Sequence, residues 1–170
     1  MSLMRADLAP YSGDGLLVYD TGTGFEWLSL GLTLGHSCMD AKAMRFVTQH
    51  RFRFATSQEV GALWTHAGIT VMGGPGPSNL GDAIGVDLLL RLLGGSTITV
   101  TTPQPETIET SRGLVPEGPN FTDPTPVLAF DLHLNRTTSP AKAYGDSGAG
   151  LWHAGQRDPQ TGVYLVRLRS

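Results

Sequence analysis

The sequence predicts an α+β domain: a small antiparallel sheet with two to three flanking helices and long loops. Three observations predict it. Residues 56–67 carry a complete helix signal with a start, an apolar face and a stop. Residues 15–30 read as two strands joined by a tight turn, and residues 163–168 read as a closing strand of alternating character.

The helix signal is the strongest. Thr56 and Glu59 form a T-x-x-E capping box, in which the threonine oxygen accepts from the first free N–H groups and the glutamate reaches back. Val60, Leu63, Trp64 and Ala67 then recur at helical spacing on one stripe. Gly68 closes the helix in the left-handed conformation, with Ile69 as the apolar contact beyond it. Just before it, Phe52 and Phe54 alternate with Arg51 and Arg53, the period of a half-buried strand.

Earlier in the chain, 15–19 is an apolar run, Asp20-Thr-Gly-Thr-Gly24 is turn chemistry, and Phe25 to Leu30 makes the partner strand. Residues 1–14 read as a flexible tail. Ser37 and Asp40 make a second capping box, and Met39, Ala43, Phe46 and Val47 share a face, so a helix is predicted over 37–49. After the rigid Gly73-Gly-Pro-Gly-Pro77, a third helix is predicted from near Ser78 or Asn79 to Gly94-Gly95, carrying Leu80, Ile84, Leu88 and Leu92. Residues 96–102 are β-branched and predict a strand. The stretch 103–126, dense in Pro, Thr, Gly and acids, predicts a long loop with one short strand at 113–115.

Residues 127–134 predict a strand with Leu128, Phe130, Leu132 and Leu134 on one side and Asp131 and His133 on the other. A loop is expected over 137–150, a short strand at Leu151-Trp152, and a turn over 157–162.

Length and composition bound the rest. A chain of 170 residues is one domain, 1–170, large enough to bury a core without staples. Its net charge of −3 supplies no basic field for nucleic acid. No apolar run is long enough to span a bilayer, and the start MSLMRADLAPYSG has no signal-peptide core. Cys38 is the single cysteine, so no disulfide forms within the chain and no zinc spacing exists. At a helix start its thiol is a candidate for a lowered pKa, against the plainer reading of a buried, inert side chain.

The pieces DTGTGFEWLSL, HSCMDAKAM, FRFATSQEVGALWTHAGI, RLLGG and GVYLVR together resemble a group of exported bacterial proteins that carry a PEP-CTERM sorting tail. Their globular part is similar in pattern to the Lcl-type C-terminal domain, and the wider group looks like the C-type-lectin-like fold. Asp20, Thr23, Gly24 and Trp27 fall on D-x-x-T-G-x-x-W-L, and Ala55, Thr56, Glu59, Val60 and Leu63 fall on A-T-x-x-E-V-x-x-L. Residues 164–167 fall on a closing W-L-V-R with Tyr164 for Trp. The resemblance implies paired N- and C-terminal strands, an extracellular or cell-surface location, and a non-enzymatic role in binding a glycan, protein or matrix ligand through loops. Leader and tail would then lie outside the sequence given; a relative that stays in the cytoplasm is the alternative.

Candidate sites follow from residue chemistry. Asn120, Asp131, His133, Tyr144 and Trp152 are the candidate ligand-binding residues, the two aromatics as stacking platforms. Asp123, Asn135 and Asp146 are candidate calcium ligands, since a hard cation needs clustered oxygens; no other cofactor is expected. His36, His66, His133 and His153 are scattered without metal-ligand spacing, and Trp27 and Trp64 sit on core faces. Gly145-Asp-Ser-Gly-Ala-Gly150 resembles the nucleophile segment of chymotrypsin-like proteases, which makes Ser147 with His36 and Asp82 or Asp87 an alternative catalytic set. Ala149, Gly150, Gly35 and Ser37 break that pattern, and a double β-barrel has no place for three helices between 37 and 94. A third reading is a structural subunit of an extracellular polymer, homo-oligomeric, in which 103–126 docks on a neighbouring copy.

Overall fold

In the computed structural model, residues 2–70, 80–100, 106–118, 120–137, 141–144 and 152–169 are described. The chain opens with strands β1 (Leu3–Ala6), β2 (Leu17–Asp20) and β3 (Phe25–Leu28) and a 3-10 turn at Leu30–Leu32. Two single-turn helices follow, α1 (Cys38–Ala41) and α2 (Arg45–Thr48), then β4 (Arg53–Phe54), α3 (Ser57–His66) and α4 (Leu80–Leu93). The second half is mostly strand: β5 (Ser96–Val100), β6 (Glu106–Pro116), β7 (Pro126–Asn135), β8 (Ala141–Tyr144), β9 (Trp152–His153), β10 (Thr161–Val163) and β11 (Leu165–Leu168).

These elements make an α+β fold with two largely antiparallel sheets. The first has the order β1-β2-β3-β11-β4, so the last strand lies between the early hairpin and β4. In the second, β6 and β7 form the centre, flanked by β5, β8, β9 and the parallel β10. Tyr164 is where the chain crosses between them: its N–H donates to Leu114 O and its carbonyl accepts from Ala55 N–H. The closing strand read over 163–168 is therefore two strands in two sheets.

Both faces of the first sheet are buried along part of their length. Val18, Trp27 and Val166 pack with Val60, Leu63 and Trp64 of α3, Val86, Leu89 and Leu93 of α4, and Phe130 and Leu132 of β7. On the opposite face Leu17, Leu28 and Leu165 pack with Cys38, Ala41, Phe46, Leu114 and Val127. Each large side chain so buried stabilises the fold by about 1.5–3 kcal/mol. The sheets meet closely at Gly113, where a Cβ would lie 2.3 Å from the Tyr164 ring. No other residue fits there.

Both capping boxes form. Ser37 and Asp40 exchange the expected bonds, as do Thr56 and Glu59, and α3 ends with Gly68 at φ +90° and Ile69 buried. The helix expected over 37–49 is nevertheless broken. Met44 is extended (φ −64°, ψ 146°) and restarts the chain as α2, while Lys42 donates to Phe121 O and caps the Phe121 ring. The buried stripe of α4 is Val86, Leu89, Leu90 and Leu93, leaving the expected core residue Ile84 exposed. Its start near Ser78 or Asn79, with 73–77 before it, lies outside the described residues.

Three segments read as loop or tail are strand. Residues 3–6 pair with β2 as β1, so the N-terminus is not a free tail. Residues 141–144 pair with β7 as β8. Residues 106–116, placed in a long loop, are the central strand β6, whose Ile108, Thr110, Arg112 and Leu114 alternate with Thr107, Glu109, Ser111 and Val115. Residues 106–116 are therefore paired within the chain and are not an arm free for exchange with a neighbouring copy.

Candidate ligand-binding surfaces

The residues named from sequence divide into those the fold gathers and those it separates. Register sets Asp131 opposite both Arg112 on β6 and Tyr144 on β8, and Trp152 opposite Val127. Arg112 ties them together: its Nε donates to Asp131 Oδ1 at 2.5 Å, and its guanidinium lies 5.0 Å over the Trp152 ring. His133 is two residues along the same strand face, beside Thr110 and Lys142 in the register. Arg112 itself is a residue that sequence reading missed, because it was assigned to a loop. Asn120 sits apart, exposed before β7.

The candidate metal ligands do not converge. Asp123 precedes β7, against Gly155, whereas Asn135 ends β7 and is spent on Glu106 and Thr137. A ten-residue strand holds its ends roughly 30 Å apart, so one cation cannot join them. Asp146 lies outside the described residues. Among the described residues no three His, Cys, Asp or Glu side chains are grouped to hold a metal ion.

Of the alternative catalytic set, His36 and Asp82 each have other partners. His36 is exposed and its Nδ1 is bonded to Leu34 O, while the Asp82 carboxylate is buried beneath Thr70, accepting from its N–H and hydroxyl. Asp87 pairs with Arg91 and Arg136. Ser147 lies outside the described residues, and α3 and α4 give an α+β architecture in place of a double β-barrel. Burial pushes the Cys38 thiol up to about 12, against a weaker pull from Lys42, so the lowered pKa considered for it is overturned.

Of the scattered histidines, His66 is built into the fold. With the ring proton on Nδ1 it donates to the buried Asp20 carboxylate at 2.8 Å, and Gly22 N–H and Thr23 Oγ1 complete that carboxylate's partners. Burial works to raise the Asp20 carboxyl, but these three hydrogen bonds together outweigh it and hold the group below its ordinary value. The motif D-x-x-T-G is thus a clamp between the first hairpin and the end of α3. Gly22 is required because a Cβ there would meet the His66 ring at 2.6 Å.

Another surface with adjoining cavities lies on the first sheet. Met4, Tyr19, Glu26 and Arg167 stand side by side on β1, β2, β3 and β11, on the face whose other half is covered by the second core. Glu26 accepts from Arg167 Nε at 2.9 Å and lies 3.6 Å from Arg169 Nε; Arg169 stacks over Tyr19 at 4.3 Å and Arg167 over Phe52 at 4.7 Å. Two cavities, of about 400 and 510 Å³, share Arg167 and Arg169 in their walls, and the pair is the groove across the strands.

Loop 7–15 forms one wall of that groove. Asp14 accepts from Leu8, Ala9 and Leu16 N–H and from the Ser12 hydroxyl, and Asp7 accepts from Gly13 and Gly15 N–H. Bonds from Ser12 and the neighbouring backbone hold the Asp14 carboxyl at about 2. On this braced loop Tyr11 is fully exposed (101%) at φ 62°. Nothing in the sequence signalled the groove, whose walls come from both ends of the chain. No helix among the described residues is long and apolar enough to cross a membrane.

No family model, no curated protein and no solved structure matches this chain.

Proposed function

We propose that the chain is a non-enzymatic, lectin-like recognition domain of an exported or cell-surface protein, engaging a glycan along the groove of the first sheet. The observation that carries this is Tyr11. A large aromatic side chain, fully exposed at positive φ, contributes nothing to the core and costs the backbone about 1 kcal/mol or more. Six hydrogen bonds to Asp7 and Asp14 nonetheless hold its loop in one shape. An amphipathic ring on a rigid mount loses little entropy on contact, which is how aromatic side chains serve as binding anchors.

The cavities beside it fall within the roughly 300–1,000 Å³ of ligand pockets. The Arg112–Asp131–Trp152 cluster on the other sheet is a second polar group, in which the Asp131 carboxylate is buried and Arg112 is partly exposed. The C-type-lectin-like assignment rests on the sequence motifs, with the pairing of β3 and β11 in keeping with it.

The test is a glycan array with wild type and Tyr11→Ala. Signals should fall about tenfold or more in the variant, with the thermal midpoint unchanged because the Tyr11 side chain is fully exposed. An identical array profile from the two proteins would sink the reading.

A further inference from the structure

The end of the groove away from Tyr11 differs in kind. Its cavity is lined by Gln49, His50, Arg51, Arg167, Leu168 and Arg169, with no carboxylate among the described lining residues. Glu26 approaches Arg167 and Arg169 from the adjoining cavity, leaving three guanidiniums against one carboxylate, a local surplus of two positive charges. The chain as a whole carries −3. A cationic concavity on an acidic protein focuses anions toward itself.

Arg51 adds a second, independent sign. It stands between α2 and β4 at φ 59°, the left-handed region where glycine is free and an L side chain is strained. Its neighbour explains the turn: Phe52 N–H returns to Phe46 O, and the Phe52 ring goes into the core. It does not explain the arginine. Arg51 is exposed and makes no ion pair or side-chain hydrogen bond among the described residues, whereas Arg167 and Arg169 are held by Glu26 and by aromatic rings. One guanidinium without such a partner among the described residues lines the same cavity as two fixed ones, an arrangement suited to an oxyanion.

From this we infer that the glycan the groove takes is acidic, its carboxylate or sulfate groups bound by Arg51, Arg167 and Arg169 while Tyr11 packs on the chain at the other end. This inference rests on the groove being a recognition surface. An acidic peptide is the less favoured occupant, because the groove runs across the strands, so a chain lying along it would cross β1, β2, β3 and β11 rather than pair along one strand edge.

Binding is measured by biolayer interferometry against four immobilised polymers: dextran sulfate, polygalacturonate, unmodified dextran and poly-glutamate. Wild type should bind one or both acidic glycans, weakening as salt rises, and should ignore dextran; which acidic glycan binds separates sulfate from carboxylate. Arg51→Gln should weaken that binding about tenfold, with Arg169→Gln as a second variant should the first fail to fold. Arg91→Gln, the same charge change at an exposed position of α4, should leave it alone.

No binding to either acidic glycan, equal loss in Arg51→Gln and Arg91→Gln, or stronger binding to poly-glutamate would each overturn the inference. Loss in Arg51→Gln but none in Tyr11→Ala keeps the anion pocket and overturns the role given to Tyr11. Loss in Tyr11→Ala with full binding of neutral dextran does the reverse.

Discussion

Within the first sheet two neighbouring rows of side chains, one residue apart along the same strands, have opposite fates. Val18, Trp27 and Val166 point into the core shared with α3 and α4. Tyr19, Glu26 and Arg167 point the other way into an open groove, with Met4 beside them 46% exposed. The inner row is fixed by shape: Trp27 meets Tyr164 edge-on at 6.2 Å, and the row packs into the larger apolar cluster. The outer row is held by charge and ring stacking, which a core would not need. The difference separates what the sheet requires to fold from what it displays.

The largest expected effect tests the inner row. Trp27→Ala removes a side chain that is 1% exposed, and loss of its transfer energy plus the cavity left behind should cost about 3–5 kcal/mol in urea unfolding. Met4→Ala on the outer row should stay within about 0.5 kcal/mol. Equal losses at the two sites would erase the contrast between the rows.

Next in size is the clamp that joins the inner row to α3. Asp20→Asn removes the charge that His66, Thr23 and Gly22 all serve, leaving buried donors with a poorer acceptor, at a cost of about 1–3 kcal/mol at neutral pH. The Asp20 carboxyl lies below its unfolded value, so the stability it contributes is present above roughly pH 4 and is lost as pH falls through the folded value. Wild type and variant should therefore converge in acid. Unfolding curves that stay parallel from neutral pH down through the carboxylate range would show that the clamp does not depend on the charge.

How much of this was legible in sequence follows the same division. The capping boxes at Ser37 and Thr56 and the glycine stop at Gly68 were readable because each partner lies within four residues. The break at Met44 was not, because Lys42 is drawn to Phe121, 79 residues away. Strand β6 was hidden by its composition: Glu, Thr, Ser and Arg alternate there in a strand paired on several sides, and polar residues in that pattern look like loop. Asp131, Tyr144 and Trp152 were grouped as candidate ligand-binding residues, yet Arg112, which links Asp131 to Trp152, was not among them. The groove was illegible for a topological reason. Glu26 and Arg167 are 141 residues apart and meet only because β11 inserts between β3 and β4.

The smallest effect carries the sharpest sign. Arg51→Gly places the one residue free of left-handed strain at φ 59°, while removing a side chain that makes no ion pair or hydrogen bond among the described residues. Relief of that strain is worth about 1 kcal/mol, part of which returns as the added entropy of glycine in the unfolded chain, so a gain of a few tenths up to about 1 kcal/mol is expected in thermal or urea unfolding. The same variant should lose acidic-glycan binding as Arg51→Gln does. A gain of that sign would mark Arg51 as a strained position whose side chain adds no stability, as strained residues at recognition sites commonly are. If Arg51→Gly instead lowers stability, the guanidinium supports the turn, and the groove loses its one cation with no structural duty.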